Sequence, residues 1–344
     1  MTIVRAESMG YCMGVKRALY MVEKQCERYK TTSDGRAQKK IYTLGPLIHN
    51  EIALKKLQEN GVSILESSDI NSAIDSIDKE NSVIVIRAHG VPPNVMKKLE
   101  LSGVEVIDAT CKKVVSSQKK AADFASRGFD VVIAGDKNHG EVVGIQGYAQ
   151  QNANGGKVVV VENALQAEKL VLENSKCVVL SQTTFSSSEY EKIVEVMKKK
   201  FRGDGEVCDG AQEVCDVEVC GTKSCAGADG SAGGDFVVLN TICSATEERQ
   251  CALHKLCLEC DIVLVVGGKK SANTCRLKNL ATEHCSEPAY KVKKVFHFED
   301  LAEMKNDWPK IKSDFTDDSV VGITAGASTP EICIFQIEDF LLRE

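Results

Sequence analysis

This 344-residue sequence predicts an α/β fold made of three quasi-equivalent domains, each with a small parallel sheet covered by helices. Three observations lead there. Strand and helix patterns alternate along the chain. A local order of strand, single cysteine and helix occurs three times, at Cys12, Cys111 and Cys243. The copies are also evenly spaced: 99 residues separate Cys12 from Cys111 and 132 separate Cys111 from Cys243, and the second interval contains a Gly/Asp/Cys-rich run of 33 residues, Gly203–Asp235. The expected domains are 13–110, 111–240 with the insertion 203–235, and 241–344 joined by 1–12.

Taken in order, Thr2–Arg5 is a strand, Cys12 follows, and Val15, Leu19 and Val22 mark the apolar face of a helix. A thiol at a helix start meets unpaired backbone N–H groups and the positive end of the dipole, which favours the thiolate. Ile41–Leu47 reads as a strand ending at His49-Asn50, with a helix over Glu51–Asn60. Ser82–Arg87 is a strand ending at His89, and Pro92-Pro93 opens the next helix. Val104–Thr110 leads to Cys111 and a helix marked by Val114, Val115, Ala121 and Phe124. Asp130–Ala134 ends at the loop holding His139 and Glu141, Lys157–Val161 is a further strand, and Cys177–Leu180 ends at Gln182-Thr183. Ser186 and Glu189 form a capping box for the helix to Lys200. Asp235–Ile242 leads to Cys243 and a helix over Ala245–Leu258. Asp261–Val266 ends at Ser271-Ala272-Asn273, and Ser319–Ile323 ends at Ser328, where a Ser or Thr caps the helix that Pro330 opens. The last domain lacks a final strand, which the N-terminal strand would supply.

Ligands of open parallel sheets gather beyond the carboxyl ends of the strands. Here those ends carry three cysteines, three histidines (His49, His89, His139), Glu141 and several Ser, Thr and Asn. Three units facing one point would make a polar pocket with thiolates at its base. Three cysteines from distant segments suit a [4Fe–4S] cluster, one per chain, with one iron left open for substrate. Glu141, two residues from His139, reads as a proton-transfer group.

Other features read plainly. Net charge is −6 without a long basic run, which argues against a nucleic-acid protein. No apolar run is long enough to cross a bilayer, and the N-terminus lacks a signal-peptide pattern. Fifteen cysteines set singly in a chain of this size point to a reducing cytoplasm. Cys26, Cys177, Cys275, Cys285 and Cys333 read as small core hydrophobes, and His254, His284 and His297 as structural or surface groups. The C-x2-C pair Cys257 and Cys260 falls within a helix without a matching pair. The insertion's Cys208, Cys215, Cys220 and Cys225 lie in a background too polar to build a core.

Nine segments in order resemble the LytB/IspH family of 4-hydroxy-3-methylbut-2-enyl diphosphate reductases: GYCMGVKRA (10–18), HN (49–50), AHGV (88–91), DATC (108–111), NHGEVVG (138–144), QTT (182–184), NTICSAT (240–246), GGKKSANT (267–274) and GASTPE (326–331). The resemblance implies a trefoil of three α/β domains around a central cluster held by Cys12, Cys111 and Cys243. It implies that His49, His89, His139, Ser271, Asn273 and Ser328 hold the substrate diphosphate. It further implies reductive dehydroxylation, with the open iron acting on the substrate hydroxyl and electrons from a donor such as ferredoxin or flavodoxin. Glu141, relayed through Thr183, would supply protons, and Asn273 and Thr246 would position the hydroxyl. The products would be isopentenyl and dimethylallyl diphosphates. Many relatives have serine where this chain has Ala272, so only its backbone N–H could serve the diphosphate, and the Cys-rich insertion is not part of the pattern. The competing readings are a cluster-dependent hydratase, which needs no external electrons, and an iron–sulfur carrier, which needs no Glu141.

Overall fold

The structure, a computed structural model, describes residues 1–30, 39–65, 70–202 and 236–344. The insertion with Cys208, Cys215, Cys220 and Cys225 lies outside the described residues. In chain order the first segment holds β1 (Thr2–Arg5), α1 (Met13–Lys30), β2 (Lys40–Leu44), α2 (Glu51–Glu59), β3 (Val62–Leu65), α3 (Ile70–Asp75), β4 (Ser82–Ile86), α4 (Pro93–Ser102) and β5 (Glu105–Asp108). The second holds α5 (Lys112–Ser126), β6 (Asp130–Ala134), α6 (Gly140–Asn152), β7 (Val158–Val161), α7 (Ala164–Lys169), β8 (Cys177–Ser181), α8 (Ser187–Arg202) and β9 (Phe236–Leu239). The third holds α9 (Ser244–Glu259), β10 (Ile262–Val266), α10 (Ala272–His284), β11 (Lys294–Phe298), α11 (Leu301–Ile311), β12 (Val320–Ala325) and α12 (Glu331–Arg343).

The strands form three four-stranded sheets, ordered β3-β2-β4-β5, β7-β6-β8-β9 and β11-β10-β12-β1, and every pairing is parallel. Numbered by their succession around each repeat, the strands of all three sheets run 2-1-3-4. The N-terminal strand is therefore the fourth strand of the last repeat, with Thr2 opposite Val320 and Arg5 opposite Ile323. The inner strands are apolar on both faces, as parallel sheets covered by helices demand: SVIVI, DVVIA, CVVLS and IVLVV are buried along their whole length.

Packing divides the described chain into two compact units. One comprises Met1–Lys112 with Cys243–Glu344, and the other Lys113–Ile242. The first contains two of the sheets. Its β10–β12 half packs α12 through Cys333, Ile334, Ile337 and Leu341 on one face, and Leu253, Leu256 and Cys257 of α9 on the other. In the second unit, Ile193 and Met197 of α8 pack on β6 and β8 from one side, and Val142, Ile145 and Ala149 of α6 from the other.

Several boundaries depart from the expected ones. The strand predicted over Ile41–Leu47 stops at Leu44, before Gly45-Pro46, because proline has no N–H for a ladder. The strand predicted over Asp235–Ile242 ends at Leu239, and Asp235 lies outside the described residues. Edge strands β3 and β11 were not anticipated; each joins its sheet along one side only. No side chain caps α12: Pro330 itself occupies the cap position, fixed in an extended conformation. The capping box at α8 forms only in part. Glu189 N–H donates to Ser186 Oγ at 3.4 Å, while the Glu189 carboxylate accepts from Ala164 N–H at 2.9 Å.

Candidate functional site

In a 2-1-3-4 parallel sheet the connections diverge between strands 1 and 3, and the crevice beyond their carboxyl ends is where ligands bind. Each repeat places a pair of the predicted residues there. After β2 and β4 come His49 and His89, after β6 and β8 come Glu141 (with His139) and Thr183, and after β10 and β12 come Ser271 and Ser328. Each pair is in contact. The His49 and His89 rings stack with centroids 5.0 Å apart, Thr183 Oγ1 donates to Glu141 Oε2 at 2.8 Å, and Ser328 Oγ donates to Ser271 Oγ at 3.1 Å. The fourth strand of each repeat, β5, β9 or β1, delivers the cysteine that precedes the next helix.

In the first unit the two histidine-bearing and serine-bearing loops meet. Ser328 Oγ also donates to the His49 carbonyl at 3.3 Å. A side chain at Gly268 would overlap that carbonyl, so the close approach of the two loops requires glycine there. Asn273 Oδ1 accepts from Ala327 N–H at 3.0 Å, leaving its buried Nδ2 without a protein partner. Ser271 caps α10 by accepting from Thr274 N–H, which makes the Ala272 N–H the first of the helix. Burial pushes the His49 pKa down, and the Arg87 and Lys270 cations push it the same way, so the ring is held neutral.

All three predicted cysteines belong to this unit, half-buried and unpaired with one another. Each is the residue before a helix: Cys12 before α1, Cys111 before α5, Cys243 before α9. Val15 N–H points at Cys12 Sγ from 3.5 Å, and Cys111 N–H donates to Ala88 O at 2.9 Å, tying it to the β4 loop. A Cβ at Gly14 would stand 2.9 Å from Cys111 Sγ and 3.8 Å from Cys12 Sγ, so both sulfurs face the bare edge of α1. The Arg249 guanidinium lies within electrostatic reach of both Cys12 and Cys243, and donates to Gly10 O at 2.7 Å. Arginine 249 thus bridges two cysteine segments from a buried position, 4% exposed.

In the second unit Glu141 is 1% exposed. Thr183 N–H donates to its Oε1 at 2.6 Å and Thr183 Oγ1 to its Oε2. Burial raises its pKa to about 7 against those two hydrogen bonds, which favour the charged form, and Asp136 adds to the rise. A carboxyl poised there gives and takes protons near neutrality. His139 caps α6, its Nδ1 accepting from Glu141 N–H at 3.3 Å, so the neutral ring carries its proton on Nε2.

The sequence reading missed Arg249 and Arg87. For Arg249 a signal exists: Thr246, Arg249, Leu253 and Leu256 form the buried stripe of α9, and an arginine on such a stripe needs a partner. Arg87 has only its place two residues before His89. The C-x2-C pair has no exposed thiol. Cys257 and Cys260 are both fully buried, with pKa values pushed up to about 12 and about 11 by desolvation, and Cys260 caps the helix rather than lying inside it. Cys275 and Cys285 are half-buried rather than in the core.

Three repeats of one parallel sheet, with an acid–hydroxyl, a histidine and a serine pair at their switch points and three thiols gathered in one unit, define a thiol-centred α/β protein of repeated architecture. The chain belongs to the LytB protein family, which it matches over residues 3–342. It is 38% identical to the 4-hydroxy-3-methylbut-2-enyl diphosphate reductase of Treponema denticola over the full length of both chains. It is 32% identical to the reductase of that name from Caldanaerobacter subterraneus, covering 98% of this chain and 95% of the relative. Among solved structures it resembles the E-1-hydroxy-2-methyl-but-2-enyl-4-diphosphate reductase of Plasmodium falciparum, with a TM-score of 0.76 and 25% identity over 99% of this chain and 87% of that one. A second, an (E)-4-hydroxy-3-methyl-but-2-enyl diphosphate reductase described as the terminal enzyme of the non-mevalonate pathway, gives a TM-score of 0.59 and 30% identity over all of both chains.

Proposed function

We infer that this chain is an oxidoreductase that converts (E)-4-hydroxy-3-methylbut-2-enyl diphosphate to isopentenyl and dimethylallyl diphosphates by two-electron reductive dehydroxylation, the last step of the non-mevalonate route. Full-length similarity to reductases of that name supports it, and the observation that carries the chemistry is the gathering of three thiols around Gly14 and Arg249. The donor set fits a [4Fe–4S] cluster: sulfur ligands from three segments, an open helix edge beside them, and a guanidinium to offset an anionic group. Cys12, Cys111 and Cys243 would hold it. When bound, such a cluster with one iron free of protein ligands supplies single electrons and a Lewis acid for the substrate hydroxyl.

The protein's own residues do the rest. His49, His89, His139, Ser271, Asn273, Ser328 and the Ala272 N–H hold the diphosphate: imidazole N–H groups, hydroxyls and helix-start amides donate to phosphate oxygens. Glu141 donates protons, and Thr183 fixes its carboxyl through two hydrogen bonds. The electron donor is a one-electron carrier such as ferredoxin or flavodoxin. The eleven described cysteines are all free, as in a reducing cytoplasm, and no helix among the described residues is long and apolar enough to cross a membrane. We also retain the division into domains 13–110, 111–240 and 241–344 with 1–12.

The test is anaerobic purification, iron and sulfide analysis, and turnover of the hydroxylated C5 diphosphate with a reduced viologen dye. Roughly four irons per chain, two dye electrons per substrate, and loss of iron and turnover on Cys111→Ser are expected. An iron–sulfur cluster without substrate-dependent dye oxidation would favour the hydratase or the carrier, and zinc in place of iron would overturn the mechanism.

A further inference from the structure

We propose that the exposed face of α1, together with Lys112 at the start of α5, is the docking surface for an acidic one-electron carrier protein. The inference rests on the reductase reading and adds to it the place where electrons enter. Met13 follows Cys12 directly and is 78% exposed. Lys16, Tyr20 and Lys24 continue its face at steps of three and four residues, the spacing that lines up one side of a helix, and all are exposed. Lys24 Nζ lies over the Tyr20 ring, 4.8 Å from its centroid. Lys112 is exposed immediately after Cys111, and Arg17 holds the two segments together by donating from Nη1 to Thr110 O at 3.0 Å.

The charges are misplaced for helix stability. A helix N-terminus favours acids and disfavours cations, yet neither α1 nor α5 has an acidic residue in its first turn, while Lys16 and Lys112 sit at these starts. Neither lysine forms an ion pair among the described residues. In a chain of net charge −6 the thiol end of this face is basic, and the first exposed carboxylate on it is Glu27, beyond Lys24. That end is centred on an exposed methionine next to one thiol and a lysine next to another. A positive rim around an apolar centre fits a partner with a negative rim around its own redox group.

The electron count requires such a partner. Replacing the allylic C–OH by C–H and releasing water consumes two electrons and two protons, so two reduced carriers each give one electron at this face for every substrate turned over. A small cationic dye needs no protein face, which separates docking from chemistry.

The experiment uses anaerobically purified enzyme with a reduced bacterial ferredoxin of net negative charge. Carbodiimide coupling, which joins lysine amines to carboxylates in contact, is followed by peptide mass spectrometry. Cross-links from ferredoxin carboxylates to Lys16, Lys24 and Lys112 are expected. The double variant Lys16→Glu with Lys112→Glu should lose them, raise the KM for ferredoxin about tenfold and flatten its salt dependence, with viologen-driven turnover and iron content unchanged. Lys24→Glu, further along α1 from the thiols, should give a smaller change of the same sign. Cross-links confined to other lysines, or a variant with unaltered ferredoxin KM, would overturn the docking surface. Absence of viologen-driven turnover in the unaltered enzyme would instead overturn the reductase reading, and the cross-links would still decide the surface.

Discussion

A carboxyl group 1% exposed and accepting two hydrogen bonds from one threonine is an unusual arrangement, because the hydrogen bonds favour its charge while burial opposes it. Burial wins, and the Glu141 pKa rises to about 7 from 4.5. Below that pH the group holds a proton it can give; above it the donor form disappears, so turnover should fall on the alkaline side of neutrality. Thr183→Val removes the hydroxyl donor but keeps the N–H, which disfavours the carboxylate further and should move that limb to higher pH. Glu141→Gln should lower kcat by about 10²–10⁴ with the iron content intact. A pH–rate profile for the three proteins decides it, and an unmoved limb in Thr183→Val would mean that another group is titrating. The same shift acts on stability. From the unfolded pKa up to about 7 the unfolded chain releases a proton that the folded chain keeps, so stability falls with rising pH across that window and levels above it.

At the scale of the element, the start of α1 shows how the site depends on what a side chain lacks. A methyl group at Gly14 would stand 2.9 Å from Cys111 Sγ, tighter than a carbon and a sulfur tolerate, and the sulfur would have to move. Gly14→Ala suits the helix better by about 1 kcal/mol, so it should leave the unfolding temperature equal or higher while lowering iron per chain well below that of the parent. Iron analysis beside thermal unfolding checks both; full iron content would show that the sulfurs have room to spare. Such elements were legible because their signals are local: strand, cysteine and helix recur in sequence three times, and the inner strands are unbroken apolar runs. Edge strands β3 and β11 were not, since a four- or five-residue strand paired on one side carries little pattern of its own. The contact between His49 and His89 or between Ser271 and Ser328 was equally hidden, because it follows from the 2-1-3-4 strand order. Arg249 stood in plain view on a helix stripe, but its partners, Gly10 and the thiols of Cys12 and Cys243, lie more than two hundred residues away or at the helix start.

For the molecule as a whole, the chain leaves the first unit at Lys112, builds Lys113–Ile242, and returns to finish what it began. The thiol centre and the last sheet are therefore both closed late: Cys243 must arrive to complete the three thiols, and β12 before β1 has a partner. β1 is the clasp. Thr2 N–H donates to Ser319 O and Ala6 N–H to Ile323 O, both at 2.9 Å, so every second residue faces β12 and Val4 N–H points inward with them. Its side chains alternate between two cores, with Ile3 against the α12 face and Val4 against the α9 face. Val4→Pro deletes the inward donor, leaving a carbonyl of the buried β12 without its partner, at a cost of about 1–3 kcal/mol beyond the loss of side-chain packing. Val4→Ala loses the packing alone. Because the same strand leads into Cys12, the proline variant should both unfold at a lower temperature than the alanine variant and retain less iron when purified under the same anaerobic conditions. Circular dichroism melts and iron analysis on the pair make the comparison. Equal values in both measurements would show that the N-terminal strand decorates the last sheet without holding the thiol centre in place.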